Sequence, residues 1–375
     1  MKELGIYVHI PFCKKKCAYC DFISFENKLD LEEKYIGALK KEIDGIKIAD
    51  EYIVTTIYIG GGTPSIINPA YIGEILNCIK NKFQLLNPEI TMEVNPGTVT
   101  REKLEKLYNL GVNRLSIGLQ SVSNQLLKLI GRIHAYEQFL DSYNLAREIG
   151  FKNINIDLMI GLPTQDLEDI EDSLDKVISL NPEHISVYSL ILEEGTILKK
   201  KVDNGELALP PETIERKMYW KVKERLEEAG YIHYEISNFA KKGYESKHNL
   251  NCWNQKEYIG FGLAAHSYLE NKRYSNIENL EEYIEGIENN KDIKTVHEEQ
   301  TEESKMKEYM LLGLRKIEGV NISQFKTKFV HNPVYVYRNE LNKLVKEELL
   351  EVEDDNIKLT NKGIDLANIV WEEFV

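Results

Sequence analysis

The chain has 375 residues, 42% hydrophobic and 29% charged, with no low-complexity segment, which is the composition of a globular protein with room for two domains. A formal charge of −14 argues against nucleic acid as the main partner, because phosphate binding requires a basic face. Only five cysteines, a charged start at Met1-Lys2-Glu3 and no apolar run of membrane-spanning length argue against a secreted disulfide framework and a membrane anchor, so a reduced, cytoplasmic protein is expected.

The first predicted element is the strand Gly5–Ile10, which leads into Cys13-Lys14-Lys15-Lys16-Cys17-Ala18-Tyr19-Cys20. The spacing C-x-x-x-C-x-x-C puts three thiols on one short loop. Three thiolates can hold three corners of a [4Fe–4S] cube and leave the fourth iron open. A zinc knuckle, a disulfide with a spare thiol and chance clustering compete with this reading. The usual zinc pattern of paired C-x-x-C units or added histidines is missing. Helical spacing over Leu31–Ile46 follows, then a strand at Thr55–Ile59 that runs into Gly60-Gly61-Gly62-Thr63-Pro64-Ser65. A helix over Ala70–Phe83, strands at Ile90–Val94 and Arg114–Gly118, a helix over Tyr136–Ile149 and strands at Ile154–Met159 and His184–Ser189 continue the series.

Six βα repeats predict an α/β fold with a parallel sheet, an incomplete (β/α)6 barrel; an open doubly wound sheet carries the same signature. Either way ligands collect at the carboxyl ends of the strands. The cysteines, the glycine turn, Glu93–Gly97, Gly118–Ser121 and Asp157–Pro163 all fall there. After about residue 205 the rhythm stops. Pro211–Ala229 reads as one more helix, and from Glu302 the order helix, short helix, helix, strand, strand, helix predicts a winged-helix-like α+β domain. Residues 301–375 carry 11 Lys and Arg against 14 Asp and Glu, so this module is read as structural or as a lid. The expected domains are a partial barrel over 1–235, a connecting segment over 236–300 and the winged-helix-like domain over 301–375.

A cube with an open iron accepts an amino acid's amine and carboxylate, as S-adenosylmethionine offers, and the other residues then acquire roles. A triple-glycine turn lets backbone approach a ligand closely, and its N–H groups can hold the amino-acid end. Glu93 suits a sulfonium or ammonium, and Gln120 and Asp157 suit the ribose or amino-acid moiety. Arg132 suits the carboxylate, against the plainer reading of a surface cation at a helix end. Tyr19 beside the last thiol is either a cover for adenine or simple packing.

These motifs carry a resemblance. Cys13, Cys17 and Cys20, with Tyr7, His9, Pro11 and Phe12 before them and Gly60–Pro64 after, resemble the radical S-adenosylmethionine superfamily. Tyr7–Cys13, Gly118–Ser121, Gly131–His134 and Asp157–Pro163 resemble, more narrowly, the branch that holds oxygen-independent coproporphyrinogen III oxidase. The resemblance runs through nearly the whole chain and implies a radical-SAM partial barrel. It also implies that Tyr7, Tyr19, Gly61, Gly62, Thr63, Glu93, Gln120, Arg132 and Asp157 contact S-adenosylmethionine, with Cys13, Cys17 and Cys20 on the cluster. Two departures separate the chain from the oxidase: Phe22 stands where the oxidase pattern has a fourth cysteine, and only twelve residues precede Cys13. His248-Asn249-Leu250-Asn251-Cys252-Trp253, in the connecting segment, is similar to the H-N-x-x-Y-W motif of HemW-type heme chaperones, with Cys252 at the tyrosine position.

That second resemblance implies a heme chaperone. His248 would ligate heme, Trp253 would pack on the porphyrin, and heme would pass to an acceptor protein. Cys252 is either a further heme ligand or an inert small hydrophobe. The alternative is radical oxidative decarboxylation of coproporphyrinogen III. His266, after the weak Gly260-x-Gly262 pattern, either faces the same cavity or is a satisfied core histidine. Peripheral contact with a membrane acceptor and a homodimer are both compatible with the sequence.

Overall fold

The computed structural model describes residues 1–375. Six strands follow one another in parallel: β1 (Lys2–Ile10), β2 (Tyr52–Gly61), β3 (Gln84–Val94), β4 (Arg114–Gln120), β5 (Ile154–Ile160) and β6 (His184–Ser189). Tyr7 lies beside Tyr58, Tyr58 beside Thr91 and Thr91 beside Arg114, and the register shifts at Leu4/Gly5, Val54/Thr56 and Gly118/Gln120. The crossovers are α1 (Glu32–Asp44), α2 (Pro69–Lys82), α3 (Arg101–Leu110), α4 (Asn124–Leu129), α5 (Tyr136–Ile149) and α6 (Leu167–Leu180), with α7 (Ile197–Asp203) and α8 (Glu212–Glu228) after β6.

Local sequence fixes the ends of these helices. Thr100 caps α3 by accepting the Lys103 N–H, and the helix stops at Gly111, whose φ of 97° suits glycine. Asp166 and Asp169 form a reciprocal box at the start of α6, which ends on Asn181 in the left-handed region. The strands are apolar on the helix-covered face. On the other face, alternate positions such as Tyr58, Glu93, Ser116, Asp157 and Tyr188 meet around one cavity, so the sheet curves round a polar interior.

The sheet continues beyond the six strands at both ends. On the β6 side it adds the antiparallel pair β7 (Ile232–Glu235) and β8 (Asn238–Ala240). On the β1 side it adds β9 (Tyr258–Phe261), parallel to β1, and then the antiparallel strands β10 (His266–Leu269), β11 (Lys272–Asn276) and β12 (Lys294–Glu299). One sheet of twelve strands results, with β12 and β7 at its edges. The stretch 236–300, expected as a connection, thus supplies strands to the main sheet.

The glycines of 260–262 serve close packing in that extension. A side chain at Gly260 would collide with the His266 carbonyl, and one at Gly262, where φ is 98°, would lie 2.5 Å from the Tyr35 hydroxyl. Half-buried Glu42 of α1 ties the extension down by accepting from Gly262 N (2.8 Å), Asn276 Nδ2 (2.7 Å) and Tyr283 Oη (2.7 Å).

The C-terminal module has helices at Glu302–Gly313, Ile322–Phe329 and Arg338–Lys346 and a three-stranded sheet in which Asn356–Leu359 lies between Val320–Asn321 and Leu350–Glu353. Asp354 and Asp355, both at positive φ, make its hairpin turn. The module covers the β7 edge through backbone bonds from Ile236 N to Arg315 O and from Ile317 N to Tyr234 O. One hydrophobic core of 77 residues runs through barrel and module, so the two are not separately cored.

Candidate functional site

The cysteine loop is fastened on every side. Phe12–Cys13 pairs with Phe25–Glu26 at its neck, and His9 Nε2 donates to Ile23 O at 2.8 Å. His9 Nδ1 then accepts from the Tyr7 hydroxyl at 2.9 Å, which sets the tautomer. Ala18 N reaches Ile130 O at 2.9 Å, and Ala18 O accepts from Leu198 N at 2.7 Å. All three thiols are free and line one cavity of about 400 Å³ at the carboxyl ends of the strands.

Burial pushes the Cys13 thiol up, and burial together with the neighbouring Cys17 pushes Cys20 up to about 11. No three His, Cys, Asp or Glu side chains anywhere in the chain converge on a single-ion site. Three thiols around one cavity are a donor set that a polynuclear iron–sulfur cluster takes. Loading such a group would release the thiol protons.

The glycine turn sits against this loop. A Cβ on Gly61 would lie 2.6 Å from the His9 ring, and one on Gly62 would lie 2.7 Å from Phe12 O and 3.0 Å from Cys13 Sγ. The turn's donors are spent internally, with Gly61 N on Glu93 Oε2 (3.1 Å), Gly62 N on Ile10 O (2.9 Å) and Thr63 N on Phe12 O (2.8 Å). The turn therefore offers a close approach to the backbone, and its N–H groups are not free for a ligand. Thr63 Oγ1 adds a contact of 3.5 Å to Cys13 Sγ.

Glu93, Gln120, Arg132, Asp157 and Tyr19 all line the same cavity. Glu93 accepts from the Tyr58 hydroxyl at 3.0 Å, and burial pushes its carboxyl up to about 7. Asp157 accepts from Asn155 Nδ2 at 2.7 Å and Ser116 Oγ at 3.3 Å, and burial raises it as well. Arg132 is part of the cavity wall, so the surface-cation reading does not apply. Its Nη2 donates to Asn95 Oδ1 (2.7 Å) and Gly118 O (2.5 Å), Nη1 lies 3.5 Å from Cys17 Sγ, and Nε has no partner. Gln120 sits at φ 71°, a strained conformation of the sort that gathers at functional sites.

Tyr7 lies one layer deeper. It is not among the cavity-lining residues, and its ring packs at 6.3 Å on that of Tyr58. Tyr58, Asn95, Ser116 and Tyr188 line the cavity and were missed from sequence; all except Asn95 occupy strand positions that alternate with the apolar face. Two carboxylates, an arginine with an orphaned nitrogen and three thiols around one cavity suit a zwitterionic, cationic ligand beside a cluster.

His248 lies at the opposite end of the strands. Its helix, α9 (Lys247–Trp253), is capped by Ser246, and its neighbours Gly5, Thr56 and Glu89 belong to the amino-terminal halves of β1, β2 and β3. His248 is 8% exposed, its ring bonds Thr56 Oγ1 through Nδ1 at 2.9 Å, and it lies tilted at 5.2 Å from the Tyr58 ring. Burial, with the Arg114 charge, pushes it down to about 4, so it is neutral at pH 7. Beside it opens a polar cavity of about 330 Å³ that includes Thr56, Lys247, Asn251 and Lys256. Burial lifts the Cys252 thiol to about 11, which keeps it protonated. His266 faces neither cavity; it is exposed and stacks on His297 at 5.5 Å.

Residues 7–177 match the Radical SAM superfamily, and residues 300–366 match the HemN C-terminal domain. The solved structure of coproporphyrinogen III oxidase (HemN) from Escherichia coli, a radical SAM enzyme, superposes with a TM-score of 0.86 at 25% identity, spanning 100% of this chain and 90% of that one. Fold and site together define a radical-SAM-type α/β protein with a HemN-type C-terminal module. Over 376 residues, 98% of each chain, it is 39% identical to heme chaperone HemW of Bacillus subtilis. Over 375 residues, 100% of this chain and 98% of the other, it is 37% identical to heme chaperone HemW of Lactococcus lactis. The chain belongs to the heme chaperone HemW family. No helix is long and apolar enough to cross a membrane.

Proposed function

We propose that this protein is a cytoplasmic heme carrier that delivers heme to an acceptor protein and holds a [4Fe–4S] cluster with S-adenosylmethionine at the opposite end of its sheet. The observation that carries the reading is the separation of two chemistries across one polar interior: a thiol tripod at the carboxyl ends of the strands and a neutral histidine at their amino ends. The family's name supports the heme assignment.

Cys13, Cys17 and Cys20 would hold the cluster. When bound, that cluster supplies an open iron for an amino acid's amine and carboxylate, and electrons. Arg132, in the cavity wall, is placed to receive a carboxylate, and Glu93 and Asp157 to neutralise a sulfonium or ammonium. Tyr19 provides an apolar wall, and Tyr58 keeps Glu93 oriented by donating to it. At the other end, His248 Nε2 is the ligating atom, because Nδ1 is engaged by Thr56. Lys247, beside the adjoining cavity, suits a porphyrin propionate, whereas Lys256 there is already paired with Glu3 at 2.6 Å. Heme access requires α9 to shift, since His248 is covered in the closed structure.

Titration of the purified protein with hemin tests this. A Soret shift that weakens at least tenfold in apparent affinity in His248→Ala is expected, and an unchanged titration in the variant removes His248 as the ligand.

A second reading is favoured by the fold: likeness to the E. coli oxidase over the entire chain admits oxidative decarboxylation of coproporphyrinogen III. Phe22, 63% exposed at the cavity rim where the oxidase pattern has a cysteine, weighs against it. Robust anaerobic formation of protoporphyrinogen in the presence of reductant and S-adenosylmethionine would reverse the preference.

A further inference from the structure

Two side chains that neither site uses, His184 and Tyr234, join the ends of the sheet. Asp157 of β5 lines the thiol cavity, and Asn155, two positions earlier on the same face, donates to it through Nδ2 at 2.7 Å. The second Nδ2 hydrogen goes to Ser116 Oγ at 2.8 Å. Asn155 Oδ1 meets His184 Nδ1 at 2.6 Å and accepts from Ser186 Oγ at 3.1 Å. His184 Nε2 meets the Tyr234 hydroxyl at 2.7 Å, and that hydroxyl accepts from Ser246 N at 3.2 Å. Ser246 is the cap of α9, the helix that carries His248.

Chemistry fixes the direction of every bond in this row. A carboxylate has no proton to give, so the Asn155 amide turns its nitrogen to Asp157 and its oxygen to His184. That oxygen requires the His184 proton on Nδ1, which leaves Nε2 to accept from the Tyr234 O–H. Burial, with the Arg114 charge, holds the His184 ring neutral, in keeping with a single tautomer. The row therefore runs one way, from the Ser246 N–H to the Asp157 carboxylate, through His184 at 0% exposure and Asn155 at 2%.

The charge at its end polarises such a row. Burial raises the Asp157 carboxyl, while the Asn155 amide, the Arg114 charge and the Ser116 hydroxyl favour its ionised form. Hydrogen bonds to an ionised group are about twice as strong as neutral ones, and in a covered row each bond strengthens the next. A ligand that engages Asp157 draws on the same two oxygens, so the hold on Ser246 slackens.

We propose that His184 and Tyr234 are positioning residues that couple the two sites, so that a ligand bound to Asp157 loosens the start of α9 and eases access to His248. The coupling rests on the assignment of S-adenosylmethionine to the thiol cavity and of heme to His248. Linkage makes it reciprocal: each ligand tightens the binding of the other by the same factor.

Amide exchange in the full-length protein, read by mass spectrometry with neither ligand present, tests the row itself. Asp157→Asn, which keeps the shape and removes the charge, should raise exchange across Lys247–Trp253 about twofold or more and leave Arg338–Lys346 as in the parent. Tyr234→Phe should raise exchange in the same segment, and Asp157→Asn added to it should change nothing further. Unaltered exchange in Asp157→Asn, or effects of the two substitutions that simply multiply, overturns the proposal. These readouts involve no heme, so they are independent of the hemin titration of His248→Ala. On reconstituted protein, S-adenosylmethionine should tighten hemin binding about twofold or more, and Tyr234→Phe should abolish that difference. Equal hemin affinity with and without S-adenosylmethionine, in protein that calorimetry shows to bind both, overturns the coupling as well.

Discussion

Glu93 links a proposed ligand contact to stability. Its carboxyl stands near 7 in the fold against about 4.5 in an open chain, because burial disfavours the charge. The folded state therefore keeps a proton that the unfolded state has released. Stability from this source is complete below pH 4.5 and is lost as pH rises through 7. Glu93→Gln retains an acceptor for Tyr58 and removes the titration. The variant should match the parent's stability near pH 4.5 and exceed it progressively from pH 5 to 8, by at most about 3 kcal/mol. S-adenosylmethionine binding, followed by calorimetry on reconstituted protein, should fall in the same variant. Melting curves with identical pH dependence would contradict the buried carboxylate. At this scale much of the site is legible from sequence: the thiols, Glu93, Gln120 and Asp157 stand where turn punctuation marks strand ends, and Arg132 follows Gly131 at the end of α4. Tyr58, Ser116 and Tyr188 are not legible, because no local turn signal distinguishes an interior-facing residue of a buried strand from its apolar neighbours.

Among the elements, the parallel strands β1 to β6 follow the apolar runs within a few residues, whereas β9 escaped recognition. Gly260 within it and Gly262 just after it read only as a weak Gly-x-Gly pattern, yet they are present because His266, Tyr35 and His9 press on the backbone there. The short helix α9 carries His248, the proposed heme ligand, and its start is held by Ser246, whose hydroxyl accepts the Asn249 N–H. Ser246→Ala should cost about 1 kcal/mol locally and raise amide exchange across Lys247–Trp253 about fivefold, read by mass spectrometry. Exchange in the cysteine loop, at the other end of the sheet, should stay as in the parent. If both segments respond alike, α9 does not open as an independent unit.

For the molecule as a whole, the C-terminal module holds α9 in place. The Arg315 guanidinium lies 4.4 Å from the Trp253 ring and 5.0 Å from the Trp371 ring, beside buried Glu235. A planar cation between two indoles is a geometry that lysine cannot reproduce. Arg315→Lys, which keeps the charge, should therefore lower stability by about 1–3 kcal/mol and speed hemin uptake, if the module restrains the helix that covers His248. Denaturation combined with stopped-flow uptake would measure both, and faster unfolding with unchanged uptake would separate the module from heme access. None of this was visible in the sequence, because Trp253, Arg315 and Trp371 are distant in the chain and only the fold brings them together.

The position of β1 also has a consequence during synthesis. This strand lies between β2 and β9, so one of its edges is unpaired until residue 261 has emerged from the ribosome. At roughly 5–20 residues per second, the nascent amino-terminal strand waits about 12–50 s for that neighbour. The cysteine loop leaves the carboxyl end of the same strand, so its final geometry postdates most of translation. Iron and sulfide delivered to this chain should accordingly meet a finished polypeptide, and nascent chains truncated before residue 258 should fail to retain the cluster.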